Sequence, residues 1–158
     1  MKSRRAARRL ELDVLYEAEI RDSLPLDAFH AREADGWVIS GEDTPDEDSS
    51  AEKASTADAL SYAEELVKGV QAHQADIDEL IAGYADRWAI QRMPVVDRTV
   101  LRMALFELLW RDDIPVPVAI NEAVELVKEL STDDSGRFVN GLLGRIVEKR
   151  QANGRQGP

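Results

Sequence analysis

The sequence predicts an all-α fold: a single-domain bundle of about seven helices, interrupted by one flexible acidic loop. Three observations carry that expectation. Apolar residues recur at i, i+3, i+4 and i+7 through most of the 158 residues, the spacing that builds one buried helix face. No run alternates apolar and polar residues beside a hairpin turn, so no strand pair is expected. Pro25, Pro94 and Pro115 stand where one apolar pattern gives way to the next, as prolines do at helix starts and boundaries. The length suits one domain with a real core.

Residues 3–22 read as the first helix, without Gly or Pro and rich in Ala, Arg, Leu and Glu. At about 100° per residue, Ala7, Leu10, Val14 and Ala18 form a core stripe. Arg4, Arg5, Arg8 and Arg9 gather on another side, and Leu12, Leu15 and Tyr16 continue the arginine azimuth. That second apolar patch admits two readings: a helix buried on two sides, or a partner-binding face beside a nucleic-acid-binding one. The arginines also admit two. They are either a solvated helix end or a preorganised phosphate-binding surface, because each guanidinium presents paired donors to phosphate oxygens. Such contacts supply affinity and salt dependence but read little sequence.

Leu24 through Arg32 reads as a short helix with Pro25 in its first turn. Residues 36–57 then lose apolar periodicity apart from Trp37-Val38-Ile39, and read as an acidic loop with those three residues as a brief anchor. From Asp58 the helical period returns. Leu60, Ala63, Leu66, Val67 and Val70 form one stripe, and Ile77, Leu80, Ile81 and Tyr84 another after a break expected near His73–Ala75. Trp88, Ile90 and Met93 lead to the boundary at Pro94. The most apolar helix follows, through Val96, Val100, Leu101, Ala104, Leu105, Leu108 and Leu109, and ends by Asp112-Asp113.

The next stretch holds two helical patterns. Ile120, Ala123, Val124, Val127 and Leu130 form the first stripe; Phe138, Leu142 and Ile146, with Val139 and Leu143, form the second. Between them, Ser131 or Thr132 is placed to cap the new helix, and Asp133-Asp134 suit its positive N-terminal end. Gly141 and Gly144 suggest a close helix approach. Residues 1–150 thus make the domain, and 151–158 a disordered tail.

Charge is unevenly placed. The chain carries −11 overall, but residues 33–58 hold nine acids against the single base Lys53, leaving about −3 for everything else. By contrast, Lys2, Arg4, Arg5, Arg8 and Arg9 crowd into the first nine residues with no acid among them. Cysteine is absent, which excludes disulfide and thiol chemistry and suits a reducing cytoplasm. No apolar run approaches the roughly 20 residues of a membrane span, and no apolar signal core follows the basic head. A soluble cytoplasmic protein is expected.

Catalysis is not. His30 and His73 are the only histidines and are too far apart for local metal spacing. The pairs Asp112-Asp113 and Asp133-Asp134 sit where helix ends attract acids, which favours capping over acid/base work. No phosphate-cradling glycine loop, nucleophile elbow or zinc motif is present. The sequence therefore implies no enzyme, no metal and no cofactor.

The wording of the C-terminal half is specific. VAINEAVELVKEL followed by DDSGRFVNGLLGRI closely resembles the bacterial transcription antitermination factor NusB family, and the resemblance continues upstream through Pro94-Val95-Val96-Asp97-Arg98-Thr99-Val100-Leu101-Arg102. Glu107-Leu108, Asp113-Ile114-Pro115 and the arginine-rich opening before Leu15-Tyr16 fit as well. The resemblance implies an all-helical protein that binds the boxA element of ribosomal RNA transcripts together with NusE, a ribosomal small-subunit protein. It also implies action within an RNA polymerase antitermination complex. By the same resemblance, Arg4, Arg5, Arg8 and Arg9 correspond to the RNA contact, Asp134, Ser135, Arg137, Phe138 and Asn140 to the flanking region, and Lys128 to a phosphate contact. Phe138 stays open between core packing and a base-stacking platform. The partner surface falls near Leu12, Leu15, Tyr16 and Asp97, although Asp97 could equally cap its helix. The acidic segment at 36–57 is longer than the family usually carries there.

Two alternatives remain. Similar helical domains form the RNA-binding part of ribosomal RNA cytosine methyltransferases, but these residues leave no room for a cofactor-binding α/β domain. The other is a structural helical protein whose second apolar patch closes a homodimer.

Overall fold

The computed structural model describes residues 2–35, 50–85 and 89–154. Among them the structure is all-α, with six helices and one 3-10 turn where the sequence suggested about seven helices. The helices are α1 (Lys2–Arg21), α2 (Pro25–Asp35), α3 (Ser50–Tyr84), α4 (Val95–Trp110), α5 (Val116–Leu130) and α6 (Asp133–Gly154); the 3-10 turn spans Ile90–Arg92. No helix among the described residues is long and apolar enough to cross a membrane. Trp37-Val38-Ile39 and Trp88 lie outside the described residues, as does most of the acidic loop.

Three expected boundaries differ. α3 begins at Ser50, inside the stretch read as loop, where Ala51-Glu52-Lys53-Ala54 supplies strong helix formers. It also runs unbroken through His73–Ala75. Val70, Ile77 and Ile81 keep the helical spacing across the suspected break, so only the apolar identity lapsed there, not the period. At the other end, α6 continues through residues 151–154.

Contacts divide the chain into two compact units, Met1–Ala72 and His73–Pro158, and α3 contributes to both. In the first, α1 packs on α2. The core stripe read from α1 is buried as expected, with Ala7, Leu10, Val14 and Ala18 all at 3 % exposure or less. The turn into α2 is a left-handed cap: Asp22 takes φ 53, and the Ser23 amide donates to the Ala18 carbonyl at 2.8 Å. Pro25 opens α2, and the next amide, of Leu26, donates to Gln71 Oε1 of α3 at 2.9 Å. That bond satisfies one of the donors a helix start leaves over.

In the second unit α4 packs on both α5 and α6, and α5 packs on α6. Leu101, Leu105, Val127, Val139, Leu142, Leu143 and Ile146 are buried at 1 % exposure or less. Each such side chain contributes about 1.5–3 kcal/mol by leaving water. Guanidinium groups secure the ends. Arg98 donates to the carbonyls of Ile90, Gln91 and Met93, Arg145 donates to the Tyr84 carbonyl at 2.7 Å, and Arg102 forks onto Asp78 at 2.8 and 3.0 Å. His73 lies flat on Trp110, their ring centres 4.0 Å apart and planes 17° apart. It therefore serves as an aromatic packing group in the gap between the two α3 stripes.

The glycine expectation is corrected. A Cβ at Gly141 or Gly144 would meet nothing within 4 Å, so neither marks a close approach. The close approach is at Gly136, where a Cβ would fall 2.5 Å from Lys128 Cγ.

Candidate nucleic-acid interface

The basic face of α1 is graded rather than uniform. Arg5 is exposed, Arg4 and Arg9 are half-buried, and Arg8 is only 6 % exposed. Helical azimuth groups the four together, but it does not report what the rest of the unit places beside them. The Arg4 guanidinium stands 4.9 Å from the centre of the Tyr62 ring on α3, a cation–π arrangement that orients it. Below Arg9, Asp13 is half-buried. Burial raises its carboxyl above the ordinary value, and the positive charges of Arg9 and Arg32 pull it part of the way back.

The second apolar patch of α1 resolves by depth. Leu12 and Leu15 are buried at 3 % and 7 % exposure, while Tyr16 is 42 % exposed. So α1 is buried on two sides at the leucines and presents an aromatic at Tyr16. Ile20 and Leu24, both more exposed still, extend that apolar surface toward α2. The sequence reading did not single them out, although Ile20 lies one turn beyond Tyr16.

The remaining candidates meet at the α5–α6 turn in the second unit. Thr132 caps α6: its Oγ1 accepts the Ser135 amide at 3.0 Å, and the Gly136 amide donates to its carbonyl. Asp134 and Arg137, three residues apart on the first turn, are exposed and ion-paired. Asn140 is exposed and Phe138 half-buried, so the Phe138 ring is partly packed and partly open. Beside Phe138 on the same helix face, exposed Gly141 leaves open space. Lys128, in the last turn of α5, is exposed and lays its stem against Gly136.

Under this surface lies a connection that sequence reasoning missed. Ser135, 6 % exposed, donates its hydroxyl to Asp97 Oδ2 at 2.6 Å. Ser135 Oγ also receives the Thr132 hydroxyl at 3.1 Å and lies 3.1 Å from Ser131 Oγ. Asp97 is fully buried in the first turn of α4, where the positive helix end favours a carboxylate. Thirty-eight residues separate the two groups. The capping signals at each site were legible; their meeting was not. The arginines belong to the first unit and the α5–α6 residues to the second. Among the described residues no group of three or more acids, histidines or cysteines is placed to hold a metal.

Comparison with known proteins gives the relatives of this chain. A family model described as the NusB family matches residues 5–148. The transcription antitermination protein NusB of Salinispora arenicola is 46% identical over 148 residues, which span 94% of this chain and 97% of that one. Among solved structures, T. maritima NusB superimposes with a TM-score of 0.71 at 34% identity, covering 92% of this chain and 90% of that one. A chain in a crystal structure of the antitermination factors NusB and NusE in complex with dsRNA gives a TM-score of 0.73 at 27% identity, covering 94% and 98%.

Proposed function

This chain belongs to the NusB family of non-enzymatic transcription antitermination proteins, and on that premise we propose that it binds boxA RNA of ribosomal RNA transcripts together with NusE. Two surfaces carry the reading, the first cationic and the second of mixed charge, because Arg137 there is paired with Asp134. One is the arginine face of α1, with Arg5 outermost and Arg4, Arg8 and Arg9 behind it. The other is the α5–α6 turn, with Lys128 and Arg137 exposed and Asp134, Ser135, Phe138 and Asn140 around them. The arginines and Lys128 neutralise phosphates, and the open part of the Phe138 ring stacks on a base. Neither surface needs a cofactor.

NusE docks on α1 at Tyr16, whose ring is the exposed member of its patch. Leu12 and Leu15 support that surface from beneath, since both are buried; Asp97, buried too, belongs to the second unit. The assembled complex joins RNA polymerase in the cytoplasm during transcription of ribosomal RNA operons.

The test is fluorescence anisotropy of a labelled boxA-like RNA across a salt series, with and without NusE. Selective binding is expected, strengthened by NusE and weakened by salt. Arg5→Ala should flatten the plot of log affinity against log salt by about 0.7, the value for one lost single-strand phosphate contact. Absence of selective binding in both conditions refutes the reading. A concentration-dependent homodimer that ignores Arg5→Ala would put the structural alternative in its place.

A further inference from the structure

We infer that Asp97 is a positioning residue for RNA recognition, acting from α4 through the Ser135 hydroxyl on the start of α6. The inference rests on the RNA-binding reading above and adds to it a residue that no RNA could touch, because Asp97 is fully buried. The geometry is that of a charge-assisted bond. The 2.6 Å separation lies within the range for a hydroxyl donating to a carboxylate, which is shorter and stronger than a neutral pair. The other carboxylate oxygen, Oδ1, is buried with no hydrogen-bond partner among the described residues, so Ser135 is the only side chain that holds Asp97 there.

What the bond fixes is the first turn of α6. Ser135 is the third residue of that helix, and its amide is the one Thr132 caps. With the hydroxyl proton directed to Asp97, Ser135 Oγ is left to accept from Thr132 and Ser131. One buried carboxylate therefore sets the direction of a chain of hydroxyls through the whole connection. Asp134 precedes this anchor by one residue; Arg137 and Phe138 follow it by two and three. Their placement depends on where Ser135 is pinned, because a side chain one helical turn away moves with the backbone that carries it. The Lys128 stem also lies close against Gly136, the next residue of the same turn.

The test uses the full chain and four variants: Asp97→Ala, Asp97→Asn, Ser135→Ala and the Asp97→Ala/Ser135→Ala double variant. RNA affinity is measured by anisotropy at a temperature where unfolding curves show each to be folded. Asp97→Ala and Ser135→Ala should each weaken RNA binding about tenfold. The double variant should be no weaker than either one, because both remove the same bond. Asp97→Asn keeps an acceptor oxygen for Ser135 and should recover most of the affinity. Amide exchange at Ser135 and Gly136 should quicken in the alanine variants and remain slow in Asp97→Asn. If the alanine variants lower the melting temperature but bind RNA as the parent does, Asp97 is structural only and the inference is overturned. Additive losses in the double variant overturn it as well. Arg5→Ala run in parallel separates the premises: weakening by Arg5→Ala without any effect at Asp97 leaves the RNA-binding reading standing and removes this one.

Discussion

Replacing Gly136 with alanine sets two effects of similar size against each other. Alanine is favoured over glycine in a helix by about 0.8–1.0 kcal/mol. The new Cβ, however, would stand 2.5 Å from Lys128 Cγ and 3.1 Å from its Cδ. Carbon atoms prefer roughly 3.5–4.0 Å, so the Lys128 stem must shift by about 1 Å. Lys128 is exposed and can yield, at the cost of a strained rotamer, about 0.5–1.5 kcal/mol. The sum lies near zero. At about 2–4 °C per kcal/mol for a chain of this size, Gly136→Ala should move the melting temperature by less than about 2 °C. Gly141→Ala is the control, on the same helix, exposed and with nothing within 4 Å. It should gain the full propensity term and melt about 2–4 °C higher. Thermal unfolding followed by circular dichroism reads both. Repeating Gly136→Ala in a Lys128→Ala background removes the obstructing Cγ and Cδ, and there the substitution should stabilise about as much as Gly141→Ala does. Should Gly136→Ala stabilise the parent chain as strongly as Gly141→Ala, with no change on removing Lys128, the packing argument fails.

Three further outcomes follow from the same structure. Thr132→Ala removes the α6 cap and should cost about 1 kcal/mol, whereas Thr132→Ser should cost much less; denaturant midpoints at constant slope distinguish them. Asp78 and Arg102 are partly buried and joined by two bonds, so a double-mutant cycle should return a coupling of about 1–2 kcal/mol, and zero coupling would mark the pair as incidental. Asp13 has its carboxyl raised by burial, so the folded chain holds that proton more tightly than the unfolded one. Its contribution is fully present below the ordinary carboxylate value and is lost as pH rises through the raised one. Asp13→Asn should therefore gain stability relative to the parent at pH 7 and lose that advantage near pH 3, as measured by urea unfolding at the two pH values.

The helices were legible because their burial is periodic. Ala7, Leu10, Val14 and Ala18, or Ala123 and Val127, declare a face by spacing alone, and the structure buries them. The continuity of α3 through His73–Ala75 is not legible in its aliphatic residues, because His73 packs there as a ring against Trp110. Depth was not legible either. Leu12, Leu15 and Tyr16 share an azimuth, yet the leucines are covered and the tyrosine is not. The four arginines likewise share a face but range from exposed to nearly buried. Azimuth belongs to one helix, while depth is set by what packs against it. For the same reason Asp97 and the Ser131-Thr132 pair each carry a capping signature in the sequence, and only the packing of α4 with α6 shows that the neighbouring Ser135 hydroxyl bonds to Asp97.

The connections of the second unit are short: five residues join α4 to α5, and two join α5 to α6. Each helix thus meets a neighbour adjacent in sequence, and little chain entropy is lost in closing the loops between them. Proteins built mainly from such local pairings fold on the microsecond to millisecond scale. The bond from Arg145 to the Tyr84 carbonyl spans 61 positions and can form only after α4, α5 and α6 have collapsed together. It contributes nothing to that first encounter. Its loss should leave the refolding rate unchanged and accelerate unfolding, making it a lock on a structure that has already assembled.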